Sequence, residues 1–199
     1  EQAELAIIGA GCAGLSLARQ LVRTEETSSI KACLYGPVSP AATNRHSWGF
    51  WATQGLKEQT ELARQRWHKW QIITAKRKVT QTAELHPYCR LDSRVWLAHC
   101  LNIIDGNIQQ EPDNLPTPGA KPVFDSRPPT VPDGAMLQHF KGVEIKAAQP
   151  CFSSDTAILM DFRCDQSRGI HFIYLLPYSP TEALVESTML SPKRQNDEF

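Results

Sequence analysis

The first residues of the chain with an evident chemical use form a glycine-rich loop near its start. They have the full GxGxxG spacing and are Gly9, Ala10, Gly11, Cys12, Ala13 and Gly14. In dinucleotide-binding folds the first glycine allows a tight turn, the second lets the backbone approach a pyrophosphate, and the third lets helix and strand pack closely. The phosphates then lie at the positive end of the following helix. The loop therefore predicts a dinucleotide site, with a glycine turn that binds nothing as the alternative.

The segments on either side of the loop support this prediction. Residues 5–8 form an apolar run that predicts a strand, and from Leu15 onward apolar residues recur at helical spacing. Residues 32–35 form a second apolar run, so the opening predicts a parallel βαβ unit. The fingerprint also expects an acidic residue about 20 positions after the loop to bind ribose hydroxyls. Tyr35 stands at that strand end, so we expect the adenosine to be held less tightly or by other residues.

The rest of the chain changes character near its middle. We predict helices over residues 56–67 and from Asp92 or Ser93 onward. Later segments favour antiparallel β-structure, the last two joined as a hairpin; they are residues 136–145, 157–163, 170–176 and 183–189. We predict a Rossmann-like dinucleotide-binding portion over residues 1–135 and an antiparallel β portion, itself incomplete, over residues 136–199.

Charge and cysteine content narrow the class of protein. Lys and Arg number 21, as do Asp and Glu, whereas a nucleic-acid-binding domain normally carries a basic excess. None of the six cysteines forms a CxxC pair, and none has a histidine nearby at metal-ligand spacing. We therefore expect no metal site, and we expect the cysteines to be reduced thiols of a cytoplasmic protein. No run approaches the roughly 18 apolar residues that a spanning helix needs, which predicts a soluble or peripheral protein. The ends of the sequence lead us to expect a fragment, and its oligomeric state is not indicated.

Six segments, in the same order along nearly the whole chain, resemble the bacterial lycopene β-cyclase family. That family belongs to a larger group of FAD-binding proteins that resemble hydroxybenzoate hydroxylase. The segments are residues 44–48 with Phe50, residues 88–93, residues 123–127, residues 160–163, residues 172–177 with Ser179, and residues 183–188. Their shared order supports the resemblance more strongly than any one segment does.

The resemblance implies an α/β fold, cofactors and a reaction. The fold is a Rossmann-like FAD/NAD(P)-binding βαβ domain followed by part of an antiparallel β substrate domain. The cofactor is FAD in its reduced form with NAD(P)H as the reductant, and the substrate is lycopene or a related carotenoid. Family members close the linear ψ-ends of lycopene into β-ionone rings, an isomerisation in which a proton adds to an alkene and a carbocation forms. Because lycopene dissolves in membranes, the resemblance also implies a peripheral contact with a membrane surface.

The resemblance also assigns roles to two carboxylates. Glu186 lies in Leu-Val-Glu-Ser-Thr, similar to the family's Phe-Leu-Glu-Glu-Thr-like motif that carries its essential acid. A protonated carboxyl in an apolar pocket suits that role, and on a strand Glu186 shares a face with Leu184 and Thr188. Without the resemblance, Glu186 would be a solvated glutamate on a half-buried strand. Asp161 is predicted to support the substrate or Glu186, with a turn or strand-end aspartate as the alternative.

Three further residues are candidates for the cofactor site. Arg94, near the start of the predicted second helix, has forked donors that suit flavin phosphates, and a surface arginine is the alternative. Asp125 and Arg127 resemble the family's Asp-Gly-Arg-Gly stretch near the cofactor. Ser126 and Pro128 replace its glycines, which argues against a close backbone approach there.

An aromatic cluster and two competing functions complete the sequence-based hypotheses. The cluster is predicted to line the polyene or flavin site, with core packing as the alternative; it comprises His46, Trp48, Phe50 and Trp51. The first competing function is a flavin oxidoreductase of the same fold, such as a hydroxylase or a prenyl reductase. The second is a truncated nucleotide-binding remnant without activity.

Overall fold

The computed structural model describes residues 3–37, 46–116, 119 and 122–195. These residues form two compact units, each built from two stretches of chain. The first unit comprises Glu1–Trp48 and Leu91–Thr130, and the second comprises Gly49–Arg90 and Val131–Phe199. Residues 49–90 thus belong to the second unit by structure, and the chain leaves the first unit for the last time close to the predicted boundary at residue 135. The functional limits of the two portions stay a prediction.

In the described part of the chain the strands are β1 (Leu5–Ile8), β2 (Ala32–Tyr35), β3 (Ser47–Trp51), β4 (Gln65–Trp67), β5 (Lys69–Ile73), β6 (Lys78–Thr82), β7 (Tyr88–Asp92), β8 (Gln109–Glu111), β9 (Val123–Asp125), β10 (Leu137–Lys146), β11 (Thr156–Asp161), β12 (Ile170–Pro177) and β13 (Glu182–Ser191). The helices are α1 (Cys12–Arg23), α2 (Lys57–Leu62) and α3 (Ser93–Ile104), with a 3₁₀ turn at Gln54–Leu56.

The first unit is built on a parallel sheet with the strand order β8-β2-β1-β9. Every residue of β1 and β2 is buried, which is typical of a parallel strand. Helix α1 connects these two strands and buries Leu15 and Ala18. The predicted βαβ unit is therefore present from Leu5 to Tyr35.

The second helix of the first unit begins where the sequence predicts it. Asp92 is the N-cap of α3, and its Oδ1 accepts a hydrogen bond from the backbone N–H of Arg94 at 3.0 Å. Trp96 on this helix is buried, and its Nε1 donates to Oγ of Ser16 on α1 at 2.9 Å. The guanidinium of Arg19 lies 5.2 Å from the centre of the Trp96 ring. An aromatic side chain with satisfied polar atoms thus joins α1 to α3.

The second unit is built on a larger sheet with the order β10-β13-β12-β11-β5-β6. Strands β10, β13, β12 and β11 pair antiparallel, as the sequence predicts, and β12 and β13 form the predicted hairpin. The backbone N–H of Tyr178 donates to Glu182 O at 2.7 Å across its turn. Only the pair β11 and β5 runs parallel in the described sheet. β10 is an edge strand.

The prediction of one helix over residues 56–67 is wrong in its second half. Helix α2 ends at Leu62, and residues 65–67 form β4, which pairs antiparallel with β7 in a small sheet of order β3-β7-β4. Trp67 explains the difference, since it is 1% exposed and its Nε1 donates to Pro177 O at 3.0 Å. Burying this indole stabilises the strand more than helix propensity stabilises a longer helix.

Trp67 is also the largest side chain in the core of the second unit. Buried with it are Ala157 and Leu159 of β11 and Leu176 of β12. Partly buried side chains pack around them: Trp70, Tyr88, Met160, Tyr174, Tyr178 and Leu184. This cluster lies against the face of the large sheet that carries the even-numbered residues of β12 and β13. That face is the same one that presents Glu186.

The predicted fold class is confirmed, because the first unit contains a parallel Rossmann-like βαβ unit and the second contains a largely antiparallel sheet. None of the described helices has the length and apolar character needed to cross a membrane.

Candidate functional site

The glycine loop in the first unit has the geometry of a phosphate cradle. Gly9 has a φ of +99°, which only glycine adopts readily, and its N–H donates to Tyr35 O at 2.8 Å. A Cβ on Gly14 would collide with the carbonyl oxygen of Gly9, so this glycine lets α1 pack against the turn. At Gly11, by contrast, no described atom lies within 4 Å of where a Cβ would stand. The loop is thus closed on the strand side and open at its second glycine, at the N-terminus of α1, which fits a dinucleotide.

Glu111 lies next to the position where the expected ribose-binding acid is missing. β2 ends at Tyr35, as predicted, and in the neighbouring strand β8 the residue in register with Tyr35 is Glu111. Its carboxylate accepts hydrogen bonds from Asn114 Nδ2 at 2.9 Å and Gln109 Nε2 at 2.8 Å, and these bonds lower the pKa of Glu111. The sequence analysis missed this carboxylate because the pairing of β2 with a strand more than 70 residues later is a tertiary feature.

Ser126 ties the glycine loop to β9. Its Oγ donates to Ile8 O at 2.8 Å and to Gly9 O at 3.2 Å, and its backbone N–H also donates to Ile8 O. A side chain on Gly9 would collide with this hydroxyl. The serine that replaces the family's glycine therefore stabilises the turn at Gly9 by hydrogen bonds to its backbone.

Two Asp-x-Arg sequences, one in each unit, adopt the same arrangement. In Asp125-Ser126-Arg127 the arginine Nε donates to Asp125 Oδ1 at 2.9 Å, and hydrogen bonding to Arg127 lowers the pKa of Asp125 to about 2. In Asp161-Phe162-Arg163 the corresponding bond is also 2.9 Å, and Arg163 likewise lowers the pKa of Asp161. Each aspartate ends a strand, which matches the alternative interpretation of Asp161.

Arg94 lies at the second position of α3 and is half exposed. Its Nε is 3.9 Å from Asp92 Oδ1. This ion pair is long and partly solvated, so it holds the guanidinium weakly. A role of Arg94 toward flavin phosphates stays a prediction.

Glu186 lies in the middle of β13, between two other strands of the large sheet. Tyr174 of β12 faces it on one side and Gly142 of β10 on the other. Its Oε1 accepts a hydrogen bond from Thr188 Oγ1 at 3.0 Å, and the side chain is half buried. Within residues 3–37, 46–116 and 122–195, Glu186 forms no ion pair. Leu184 and Thr188 flank it on the same face, as predicted.

Two tyrosines lie near this carboxyl. Burial raises the pKa of Tyr88 to about 12, with smaller contributions from Tyr174 and Glu186. Burial also raises the pKa of Tyr174, and Glu186 is again a further cause. Both phenols are therefore neutral at physiological pH and lie near a potential proton donor.

The aromatic wall continues from Tyr88 to part of the predicted aromatic cluster. The ring centroids of Trp51 and Tyr88 are 5.1 Å apart in an edge-to-face arrangement, and Trp51 meets Trp70 in the same way at 5.4 Å. A Cβ at Gly49 would collide with the Tyr88 hydroxyl, so this glycine admits the ring. The family-like segment over residues 44–48 overlaps this cluster, and its first two residues, Asn44 and Arg45, lie outside the described residues.

The structure does not bring Asp161 to the Glu186 carboxyl. Asp161 is paired with Ile173 of β12, which lies on the sheet face opposite to Tyr174 and Glu186. Its partner is Arg163 instead. The catalytic contribution predicted for Asp161 stays a prediction, and the geometry supports only an indirect role.

Sequence analysis missed Tyr88 and Gly142, and it placed Thr188 on the face of Glu186 without predicting the hydrogen bond between them. Tyr88 and Thr188 stand inside segments that carry the resemblance, yet their spacing alone indicated no partner. Gly142, a glycine within a β-forming segment, is the one local signal, because such a glycine marks a place where another group approaches closely. No group of three or more His, Cys, Asp or Glu residues in the described chain is arranged to hold a metal ion.

The sequence matches the family model described as lycopene cyclase protein over residues 4–104 and 107–197. A lycopene beta-cyclase of Paracoccus sp. (strain N81106 / MBIC 01143) is 44% identical over 55 residues. That match covers 28% of this chain and 14% of the relative.

Solved structures show the same fold. A geranylgeranyl bacteriochlorophyll reductase-like protein from Thermoplasma acidophilum aligns with 95% of this chain at a TM-score of 0.66 and 10% identity. A 2-methyl-3-hydroxypyridine-5-carboxylic acid oxygenase aligns with 96% at a TM-score of 0.61 and 11% identity. The alignments cover 56% and 60% of those two chains, so this chain spans little more than half their length. At such identity the likeness concerns the fold alone.

Proposed function

The chain belongs to the lycopene cyclase protein family, and on that premise we propose that the complete gene product closes the linear ends of lycopene, or of a related carotenoid, into β-ionone rings. The observation that carries the proposal is the position of Glu186. It is a half-buried carboxyl without a cationic partner among the described residues, and it lies near two neutral tyrosines on an aromatic sheet face. Such a face suits a hydrocarbon end group, which needs a proton donor and no polar recognition.

The proposed reaction is an isomerisation that balances without oxidant or reductant. Glu186 donates its proton to the terminal alkene, which becomes a carbocation. The electron pair of the internal alkene attacks the cation and forms the ring bond, and a proton leaves a ring carbon to restore a double bond. One proton enters and one leaves, so substrate and product are isomers. General acid catalysis of this kind requires the carboxyl within reach of the reacting carbon.

The aromatic wall and the ionised acid stabilise the intermediate charge. The π-faces of Tyr88 and Tyr174 attract a cation, an interaction of about 1–2 kcal/mol where water is excluded. After proton donation the Glu186 carboxylate adds an opposite charge beside the same carbocation. The face that carries these three groups therefore favours the transition state over the neutral substrate.

The glycine loop is proposed to hold FAD. Gly11, Cys12 and Ala13 are the residues that would bind its pyrophosphate at the start of α1, and Arg94 is a further candidate for the phosphates. Bound in its reduced form, with NAD(P)H as the reductant, FAD would supply an electron-rich ring system that stabilises positive charge. Lycopene as a membrane-dissolved substrate also leads us to propose a peripheral membrane contact and a cytoplasmic location.

Substitution of the acid tests this proposal. The complete gene product with Glu186→Gln is expected to lose ring closure by about 10²–10⁴-fold, the range that general acid catalysis contributes, while it retains flavin. Glu182→Gln is the matched control, because Glu182 lies on the same strand and face but pairs with Lys146 at 3.2 Å. It should leave the rate of β-carotene formation unchanged.

Three outcomes oppose the proposal in different ways. Normal β-carotene formation by Glu186→Gln removes Glu186 as the acid. Stoichiometric NAD(P)H oxidation during turnover indicates the flavin oxidoreductase instead. A purified protein without flavin absorbance that leaves lycopene unchanged indicates the inactive nucleotide-binding remnant.

A further inference from the structure

We infer that Thr188 and Gly142 orient the Glu186 carboxyl so that Oε2, and not Oε1, delivers the proton to the substrate. The inference rests on the proposed function, because it names the delivering atom and its positioning residues. It depends on two independent features of the sheet. The first is a hydrogen bond that occupies Oε1, and the second is a glycine that leaves space beside Oε2.

Thr188 holds Oε1. Its side chain is fully buried, and its hydroxyl donates to Oε1 at 3.0 Å. The cross-strand neighbours of Thr188 are Phe172 and Phe140, which offer no hydrogen-bond acceptor in their side chains. A buried hydroxyl without a partner would be destabilising by about 1–3 kcal/mol. The bond to Glu186 is therefore maintained and restricts rotation of the carboxyl.

This bond also decides which oxygen carries the acidic proton. A hydroxyl has a single hydrogen, and we take Thr188 to donate it to Oε1 in the protonated acid as it does in the carboxylate, so that Oε1 is the acceptor in both forms. In the protonated carboxyl the O–H group is then on Oε2. Thr188 acts on the reaction through Glu186 and does not itself touch the substrate, so it is a positioning residue.

Gly142 leaves room for the substrate beside Oε2. It faces Glu186 across the β10–β13 pair, and a Cβ at residue 142 would lie 3.4 Å from Oε2 and 3.3 Å from Leu184 Cδ1. Any other residue would therefore place carbon against the oxygen that delivers the proton. Because β10 is an edge strand and Gly142 is exposed, the space above it is accessible. A glycine inside a strand is otherwise unfavourable, and its use here is consistent with close approach of a ligand.

Three variants of the complete gene product test the role of Thr188. Thr188→Val keeps the shape of the side chain and removes the hydroxyl; kcat for ring closure should fall about 10- to 100-fold while KM changes less than about twofold, as for a misplaced catalytic group. Thr188→Ser keeps the hydroxyl and should recover most of the loss. Ser191→Ala removes another buried hydroxyl from β13, one bonded to Lys193 O on the opposite face, and should not change kcat.

Gly142→Ala provides a second test that does not depend on folding of the valine variant. Its methyl group would cover Oε2, so we expect kcat to fall about tenfold, with a melting temperature close to that of the parent. The inference is overturned if folded Thr188→Val keeps its kcat, if Thr188→Ser is as slow as Thr188→Val, or if Gly142→Ala turns over normally. Failure of the proposed function itself looks different, since the parent would then form no rings or Glu186→Gln would form them at the normal rate.

Discussion

The two regions proposed to act in one reaction are built in opposite ways. The glycine loop of the first unit works by the absence of side chains: Gly9 and Gly14 shape the turn, and Gly11 keeps it open. The Glu186 face of the second unit works by side chains that come from β7, β12 and β13, beside a glycine of β10. A site made by local backbone conformation is visible in six consecutive residues. A site made by strand pairing is visible only after the strands have paired.

The two Asp-x-Arg turns sharpen this contrast. Asp125 and Asp161 bind their arginines with nearly the same distances, in different units and beside different elements. An arrangement that recurs in both places follows from the local sequence, and it keeps the aspartate ionised in each. Glu186 has no such local partner, and its surroundings are supplied by the sheet.

Among the substitutions that compare the two regions, Gly14→Ala in the glycine loop is expected to have the largest effect on folding and flavin content. Gly14→Ala places a methyl group on the carbonyl oxygen of Gly9, so α1 must move; we expect a loss of about 1–3 kcal/mol in the free energy of unfolding and loss of bound flavin. Gly11→Ala is the matched variant, because open space surrounds its Cβ; it should unfold like the parent but retain less flavin. Urea unfolding and flavin absorbance of the complete protein measure both. Equal flavin content in parent and Gly11→Ala would remove the cradle's proposed role.

Raising the pH tests whether Tyr88 in the second unit is buried. The folded-state pKa of Tyr88 is about 12, above its ordinary value of 10, so the unfolded chain ionises first as pH rises. The contribution of the neutral phenol is complete below about pH 10 and is lost between about pH 10 and 12, which amounts to about 3 kcal/mol. Tyr88→Phe lacks this titration. The difference in unfolding free energy between parent and variant should change over that range, and a difference independent of pH would contradict the burial of Tyr88.

A somewhat smaller effect on turnover is expected from the Tyr88 ring. Tyr88→Leu removes the π-face beside Glu186 and should lower kcat about tenfold, the equivalent of a cation–π contribution of about 1–2 kcal/mol. Tyr88→Phe keeps the ring and should retain most of the rate. Flavin content should be equal in both, since the change lies in the second unit. An equal loss in the two variants would show that the hydroxyl, and not the ring, matters.

The smallest effect is expected from Asp161. Because it pairs with the exposed Arg163 on the face away from Glu186, Asp161→Asn should change turnover less than about threefold and stability by less than about 1 kcal/mol. Asp125→Asn, which breaks the matching turn in the first unit, is its control for stability. A loss of kcat comparable to that of Glu186→Gln would instead establish Asp161 as a catalytic residue.

Local patterns predicted much of the fold. The βαβ opening, the start of α3 at its Asp92 cap and the β12–β13 hairpin all follow from short-range signals such as apolar runs, caps and turns. Residues 65–67 were predicted incorrectly, because Trp67 is stabilised by a core formed with β11 and β12, about 90 to 110 residues away in the sequence. The pairing of β8 with β2, which places Glu111 beside Tyr35, was invisible for the same reason.

The sequence by itself determined the glycine cradle and the identity of the carboxylate in the family-like segment, since both depend on neighbouring residues. Only the tertiary structure decided which groups surround that carboxylate. Strand register places Tyr174 and Gly142 on either side of Glu186 and turns Asp161 to the opposite face. Register depends on how whole strands bury their apolar faces, and a shift of one residue would reverse every one of these orientations.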